Sequence, residues 1–134
     1  MSAQFWIFLA AVFGGLAVVA GAVGAHSLPE AASLDGTLQQ AYRTAQFNHA
    51  VHAVALLGVG VLMVLSKGHG TDFSTWAMQG AALAFAIGIV LFSGGIYAHV
   101  AGGFASTTKL VPAGGMFLIA GWAALAAAAV GLRF

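Results

Sequence analysis

Five histidines are the residues most able to do chemistry in a chain that carries only 5% charged residues. His49 and His52 are three residues apart, so on a helix both project from the same side. Asn48 lies four residues before His52 and is also its neighbour on that surface. Imidazoles and amides at this spacing could bond to one another, to zinc or copper, or to a haem iron. The segment therefore predicts a polar site at the beginning of an otherwise apolar helix.

Composition decides what kind of protein holds this site. The 134 residues are 61% hydrophobic, and their mean hydropathy is +1.00. A soluble domain carries about 25% charged residues, and a helix that crosses a membrane needs roughly 20 apolar ones. The sequence predicts an all-α integral membrane four-helix bundle, built as a single transmembrane domain over 1–134 with spans at about 4–25, 44–65, 74–97 and 110–132.

A short interfacial helix is expected between the first two spans. The residues from Ser27 to Glu30 form a capping box with a proline in its first turn, which predicts a helix over Pro29 to Leu34. Asp35 and Gly36 should break it. Thr37 then caps a helix that continues directly into the second span.

Topology should bring distant histidines together. Four spans place both termini and the turn at 67–72 on one side of the membrane, here called face A. The connections at 26–43 and 98–109 lie on the other side, face B, while His69 lies on face A. A polar cluster is therefore expected toward face B, formed by His26, Arg43, Gln46, Asn48, His49, His52, Tyr97 and His99.

Three interpretations of this cluster remain open. In the structural one, neutral imidazoles bond to backbone carbonyls and no cofactor is present. In the second, His49 and His52 join His26 or His99 around zinc or copper, so that all four are candidate ligands. In the third, imidazoles from facing helices bind a haem iron, since His52 should lie ~12 Å along its helix from the membrane surface.

Aromatic and small residues predict how the helices meet the lipid and each other. Trp6 and Trp76 should lie in the interface belt on face A, and Tyr42 and Tyr97 in the belt on face B. Trp122, in the middle of its span, should pack against glycine-lined helices. Small residues four apart allow close approach of two backbones, and such stripes occur at Ala17, Gly21 and Ala25, and at Gly80, Ala84 and Gly88.

Several function classes are disfavoured. A net charge of +1 with scattered basic residues gives no track for nucleic acid. The absence of cysteine excludes thiolate catalysis and iron–sulfur ligation. No acidic residue lies within a predicted span to relay protons, which disfavours a transporter. No catalytic residue is assigned, and the sequence favours a protein that is not an enzyme.

Short motifs in all four predicted spans resemble one known family. The ending G-A-V-G-A-H of the first span is similar to its G-A-F-G-A-H signature. This family is the YgdD/YwdK-type small membrane proteins of unknown function, found in bacteria and in animal mitochondria. The residues that carry the resemblance are Gly21–His26, His52–Leu57, Phe92–Tyr97, Pro112–Gly115, Gly121 and Trp122.

The resemblance implies a four-helix integral membrane protein and no particular activity. Gly24, His26, His52 and Tyr97 fall on family motif positions. The chain departs from the family pattern at residues 48–51, where Tyr-Gln-x-Tyr is more usual. His49 therefore lies outside the pattern, and so does His99.

Together these observations favour a small accessory protein of the bacterial inner membrane. Its glycine- and alanine-rich helix faces should bind membrane lipids, a second copy of the chain or a larger membrane complex, and not nucleic acid. The alternative is a histidine-ligated zinc, copper or haem protein with a redox or transport role.

Overall fold

A computed structural model describes residues 1–30, 34–67 and 72–131. Four continuous helical segments in it are long and apolar enough to cross a membrane, which confirms the all-α membrane bundle. We number them span 1 (Ala3–His26), span 2 (Gly36–Leu65), span 3 (Asp72–Gly102) and span 4 (Ala105–Gly131). Their helices are α1 (Ala3–His26), α2 (Gly36–Leu65), α3 (Asp72–Gly88), a π-helix (Ile89–Gly94), α4 (Gly95–Gly102), a 3₁₀ helix (Ala105–Leu110) and α5 (Val111–Gly131).

The N-cap of the second helix lies two residues earlier than the sequence indicated, at Asp35 instead of Thr37. The Asp35 carboxylate accepts hydrogen bonds from the backbone amides of Thr37 (2.9 Å) and Leu38 (3.2 Å). The prediction that Thr37 caps this helix is therefore wrong, because the Asp35 side chain satisfies the free amides first. The predicted interfacial helix falls partly on residues 31–33, which lie outside the described residues, and it stays a prediction.

The bundle is built from two antiparallel hairpins. Span 1 packs along span 2, and span 3 packs along span 4. Span 2 also contacts span 3, so it is the element that joins the hairpins, whereas span 1 meets span 3 mainly near Trp6. The largest buried side chains fill the contact between spans, and they are Trp6, Leu56, Val59, Met78 and Phe85.

Close approach between spans 3 and 4 depends on Gly114. A Cβ atom at this position would overlap the backbone nitrogen of Phe92. The expected stripe at Gly80, Ala84 and Gly88 makes such an approach only at Gly88, which meets Leu118, while Gly80 faces open space. Spans 3 and 4 pack along α3 as well as along the π-helix, so they meet over most of the length of span 3.

Trp6 is buried instead of lying in the interface belt. Only 1% of it is exposed, and its indole Nε1–H donates to Gln79 Oε1 at 2.8 Å. The Gln79 amide in turn donates to the Met1 carbonyl at 2.6 Å. The belt prediction is therefore wrong for Trp6, because an amide in span 3 supplies the partner that water would supply at an interface. Trp76 is 76% exposed, as a belt residue should be.

Span 3 contains a π-helical segment, Ile89–Gly94, that nothing in the sequence indicated. Such segments are rare and are frequent at functional sites, since the wider turn changes which side chains face a neighbour. Here Ser93 Oγ donates to the Ala45 carbonyl of span 2 at 2.9 Å, in a buried position. The segment anchors span 3 to span 2 and sets the direction in which Tyr97, one turn later, projects.

Candidate functional site

His49 is the buried polar residue between spans 1, 2 and 3. Only 5% of it is exposed. Its Nδ1 lies 3.3 Å from the Tyr97 hydroxyl, and the edge of its ring meets Phe13 of span 1 with centroids 5.9 Å apart. Its Nε2 is buried and has no hydrogen-bond partner among the described residues. Thus, within the described part of the chain, Nδ1 of this imidazole has a hydrogen-bond partner and Nε2 does not.

Tyr42 lies beside this pair and links span 2 to span 1. Its hydroxyl donates to the Ala20 carbonyl at 2.8 Å, and its ring centroid is 5.0 Å from that of Tyr97. Tyr42 is buried, so its predicted place in the interface belt is wrong. The ring fits because Gly24 has no side chain: a Cβ there would lie 2.7 Å from Tyr42 Cε1.

Replacing Gly24 by alanine should therefore displace the Tyr42 ring and weaken its bond to Ala20. Overpacking of this kind costs about 1–3 kcal/mol, so the Tm of the detergent-solubilised protein should fall. Gly14→Ala is the matched control, because a Cβ at Gly14 of the same helix meets nothing within 4 Å. Equal melting of the two variants would contradict the packing described here.

His52 has both ring nitrogens bonded. Nδ1 lies 2.7 Å from the Asn48 carbonyl, and Nε2 lies 3.1 Å from Trp122 Nε1. An indole N–H can only donate, so Nε2 must accept and Nδ1 must carry the proton. The imidazole is neutral in this arrangement. Its ring also packs against Phe85 with centroids 5.6 Å apart.

The two histidines of span 2 do not share a site. His49 faces span 1 and Tyr97, whereas His52 faces Phe85 and Trp122. Residues three apart differ by about 60° around a helix, and different spans pack on the two sides of that angle. The expectation of one shared imidazole pocket is therefore wrong for this pair. Trp122 packs against span 2 and span 3 side chains, and it remains 47% exposed.

The other members of the expected cluster are dispersed. His26 is exposed at the end of span 1, and His99 is partly buried, its Nδ1 meeting no hydrogen-bond partner in the described part of the chain. Gln46 donates to the Ala17 carbonyl of span 1 at 3.5 Å, and the Asn48 amide donates to Thr44 of its own helix at 2.9 Å. Arg43 is exposed and lines a crevice of about 170 Å³ between spans 1 and 2.

This dispersal bears on the metal hypothesis. Within the described ranges, no three histidine, aspartate or glutamate side chains form a group that could hold a metal ion. His26, His49, His52 and His99 are all in those ranges, so the structure does not assemble them into the expected zinc or copper site. A haem or metal at His52 would also have to displace its bond to Trp122.

An apolar cleft of about 420 Å³ separates span 1 from span 3. Its walls are apolar residues of both spans: Leu16, Val19 and Val23 on one side, and Ile89, Val90 and Gly94 on the other. His49, Tyr42, Tyr97 and Phe13 line it as well. The π-helix thus forms one wall, and the half-bonded imidazole lies among the lining residues.

Comparison with known proteins now places the chain in a family. The model for "Protein of unknown function (DUF423)" matches residues 20–115. The chain belongs to the DUF423 family. The inner membrane protein YgdD of Escherichia coli K12 is 30% identical over 134 residues, which cover 99% of this chain and 95% of the relative. The membrane protein YwdK of Bacillus subtilis is 36% identical over 128 residues, covering 95% and 97%.

Family membership and the four spans together fix the location. This DUF423 protein is an integral protein of the inner membrane, as expected. No solved structure matches it.

Sequence reasoning missed several residues of the site. The buried bonds of Tyr42 and Trp122 join spans that are distant in sequence, and no local pattern reveals them. The sequence could have predicted a buried bond at Gln79, because it is an amide inside an apolar run and such a group needs a partner in hydrocarbon.

Proposed function

We propose that this protein is a non-enzymatic accessory protein that binds a lipid molecule in the cleft between span 1 and span 3. The single observation behind the proposal is the cleft itself, an apolar space of about 420 Å³ between two spans whose backbones make few close approaches. Leaving two neighbouring transmembrane helices apart forgoes packing contacts that drive helix association. A ligand in the cleft would restore them.

The lining supports a lipid as the occupant. Two of its walls consist of aliphatic side chains, and the remaining polar atoms belong to His49, Tyr42 and Tyr97. A second groove, toward Phe47 and Trp122, has a similar volume of about 450 Å³ but contacts no buried unpartnered atom. It serves as an internal comparison for ordinary contact with bilayer lipid.

Photolabelling can test the proposal. Purified protein in lipid nanodiscs would be irradiated with a diazirine-bearing fatty acid, and the labelled peptides identified by mass spectrometry. We expect labelling at Leu16 and Val23 that an excess of unlabelled lipid suppresses, because a bound molecule is displaced. Labelling at Val54, in the comparison groove, should fall only in proportion to the fraction of probe in the total lipid, because no specific site is saturated there.

A filled cleft provides the control. A Cβ at Gly94 meets nothing within 4 Å, so Gly94→Leu should place a side chain in the cleft without strain. Gly58→Leu is matched to it, since Gly58 of span 2 is equally open and does not line the cleft. Suppressible labelling should disappear in the first variant only. If both variants are labelled like the native protein, the proposal that lipid binds in the cleft is wrong. It is also wrong if cross-linking shows that a second copy of the chain or another protein fills the cleft.

A further inference from the structure

We infer that the ligand of this cleft is a quinone-type lipid whose ring carbonyl accepts a hydrogen bond from His49 Nε2. The inference rests on the proposed lipid site and names the chemistry of its occupant. It starts from the unpartnered Nε2, which is buried in a side chain that is itself 5% exposed. A buried polar atom without a partner is costly, and a ligand acceptor would remove that cost.

The proton is assigned by the neighbouring hydroxyl. If Tyr97 donates to Nδ1, then Nδ1 accepts and Nε2 carries the proton. In the opposite arrangement Nδ1–H donates to Tyr97, and the tyrosine hydrogen has no acceptor among the described residues. The first arrangement leaves one group unpaired and the second leaves two, so Nε2 is the donor. The Phe13 backbone carbonyl of span 1 lies near the His49 ring and is the rival acceptor, but its contact with Nε2 is too weak to meet hydrogen-bond geometry.

Depth in the membrane selects the class of lipid. His49 follows Arg43 by six residues, so it lies ~9 Å further along the helix axis. Arg43 is exposed, and a guanidinium extends to the headgroup level. The ester carbonyls of a phospholipid also lie at that level, and the hydrocarbon core below is about 30 Å thick. An acceptor oxygen beside His49 therefore fits a lipid that carries its polar group inside the hydrocarbon, such as the ring carbonyl of a quinone.

Aromatic side chains surround the same point. Phe13, Tyr42 and Tyr97 all line the cleft next to His49, and such rings pack well against a flat ring. Phe13 meets the imidazole edge-on, at an interplanar angle of 75°. Because Nε2 is buried, a ligand reaches it only after a neighbouring group moves aside. We propose binding alone, with no electron transfer.

Binding of a quinone and of its carbonyl-free counterpart tests the inference. Full-length protein in detergent would be titrated with decylubiquinone and with decylbenzene, using tryptophan fluorescence, and the carbonyl stretch of the bound quinone recorded by infrared spectroscopy. One hydrogen bond should make the quinone bind about fivefold to tenfold tighter. The carbonyl band should shift to lower frequency on binding.

Variants of His49 separate the effect of its hydrogen bond from the effect of its side-chain volume. His49→Phe keeps a ring but has no donor, so the preference for the quinone and the infrared shift should both disappear. His49→Gln keeps an amide N–H and should retain part of each, and thermal unfolding of both variants verifies their fold.

The outcomes are distinguishable from those of the lipid proposal. If decylbenzene binds as tightly as decylubiquinone to the native protein, the acceptor inference is overturned while lipid binding stands. If a short-chain phospholipid displaces the quinone at equal concentration, the quinone class is overturned. If neither probe binds and the photolabelling at Leu16 is not suppressible, both proposals fail together.

Discussion

Replacing Gly114 by alanine should lower the free energy of unfolding by about 3 kcal/mol, at the upper end of what overpacking costs. The added methyl group would overlap the backbone of Leu91 and Phe92 in span 3. A clash with a flexible side chain can be relieved by a new rotamer, but backbone atoms in a packed helix move only if the whole span moves. Reversible unfolding in mixed micelles, followed by circular dichroism, would measure the loss.

The adjacent glycine is a matched control for this prediction. A Cβ at Gly115 would lie 3.7 Å from the Phe92 ring, which is ordinary van der Waals contact. Alanine also has a higher helix propensity than glycine, by about 1 kcal/mol. Gly115→Ala should therefore leave stability unchanged or raise it. If the two variants have the same midpoint of unfolding in the mixed micelles, spans 3 and 4 do not meet at Gly114 as described.

His52→Ala is the second change with a large expected effect. It removes a buried ring beside Phe85 and leaves the Trp122 N–H and the Asn48 carbonyl without the partners they now have. A cavity and an unpaired donor together should cost about 3 kcal/mol of unfolding free energy. The same unfolding measurement in mixed micelles applies.

Comparison with Trp122 isolates the hydrogen bond. Trp122→Phe keeps an aromatic ring but removes the donor and part of the indole, and the lost hydrogen bond should account for about 1 kcal/mol of its cost, within the range for hydrogen bonds between membrane helices. In the His52→Ala background the same change should cost about 1 kcal/mol less, because the N–H that it removes is already unpaired. Asn48→Ala should be nearly neutral, since the Asn48 side chain bonds within its own helix. Additive losses in the double variant would show that Nε2 does not accept from Trp122.

The fold could be predicted from the sequence because membrane helices are specified locally. Length and apolarity of each segment are enough to predict a span, and this gave the four-helix membrane architecture that the structure shows. The second helix extends further than its apolar part, to Gly36, because a polar carboxylate caps it outside the hydrocarbon.

The site could be predicted only in part, because it depends on which way side chains turn. Spacing identified His49 and His52 as important, and both are buried. It could not show that they face different spans, since a difference of about 60° around a helix matters only once the neighbours are known. The π-helix has the same origin: it is fixed by contacts such as Ser93 with Ala45, between residues far apart in sequence.

Two of the side-chain bonds that hold span 1 have a mechanical consequence. Trp6 is tied to span 3 through Gln79, and Ala20 is tied to span 2 through Tyr42. These attachment points are fourteen residues apart, or ~21 Å of helix. A helix attached near both ends cannot rotate away from the bundle as a rigid body. A ligand that widens the cleft must therefore bend span 1 between these two attachment points. The resistance of the helix to bending will limit the size of the ligand that the cleft can accept.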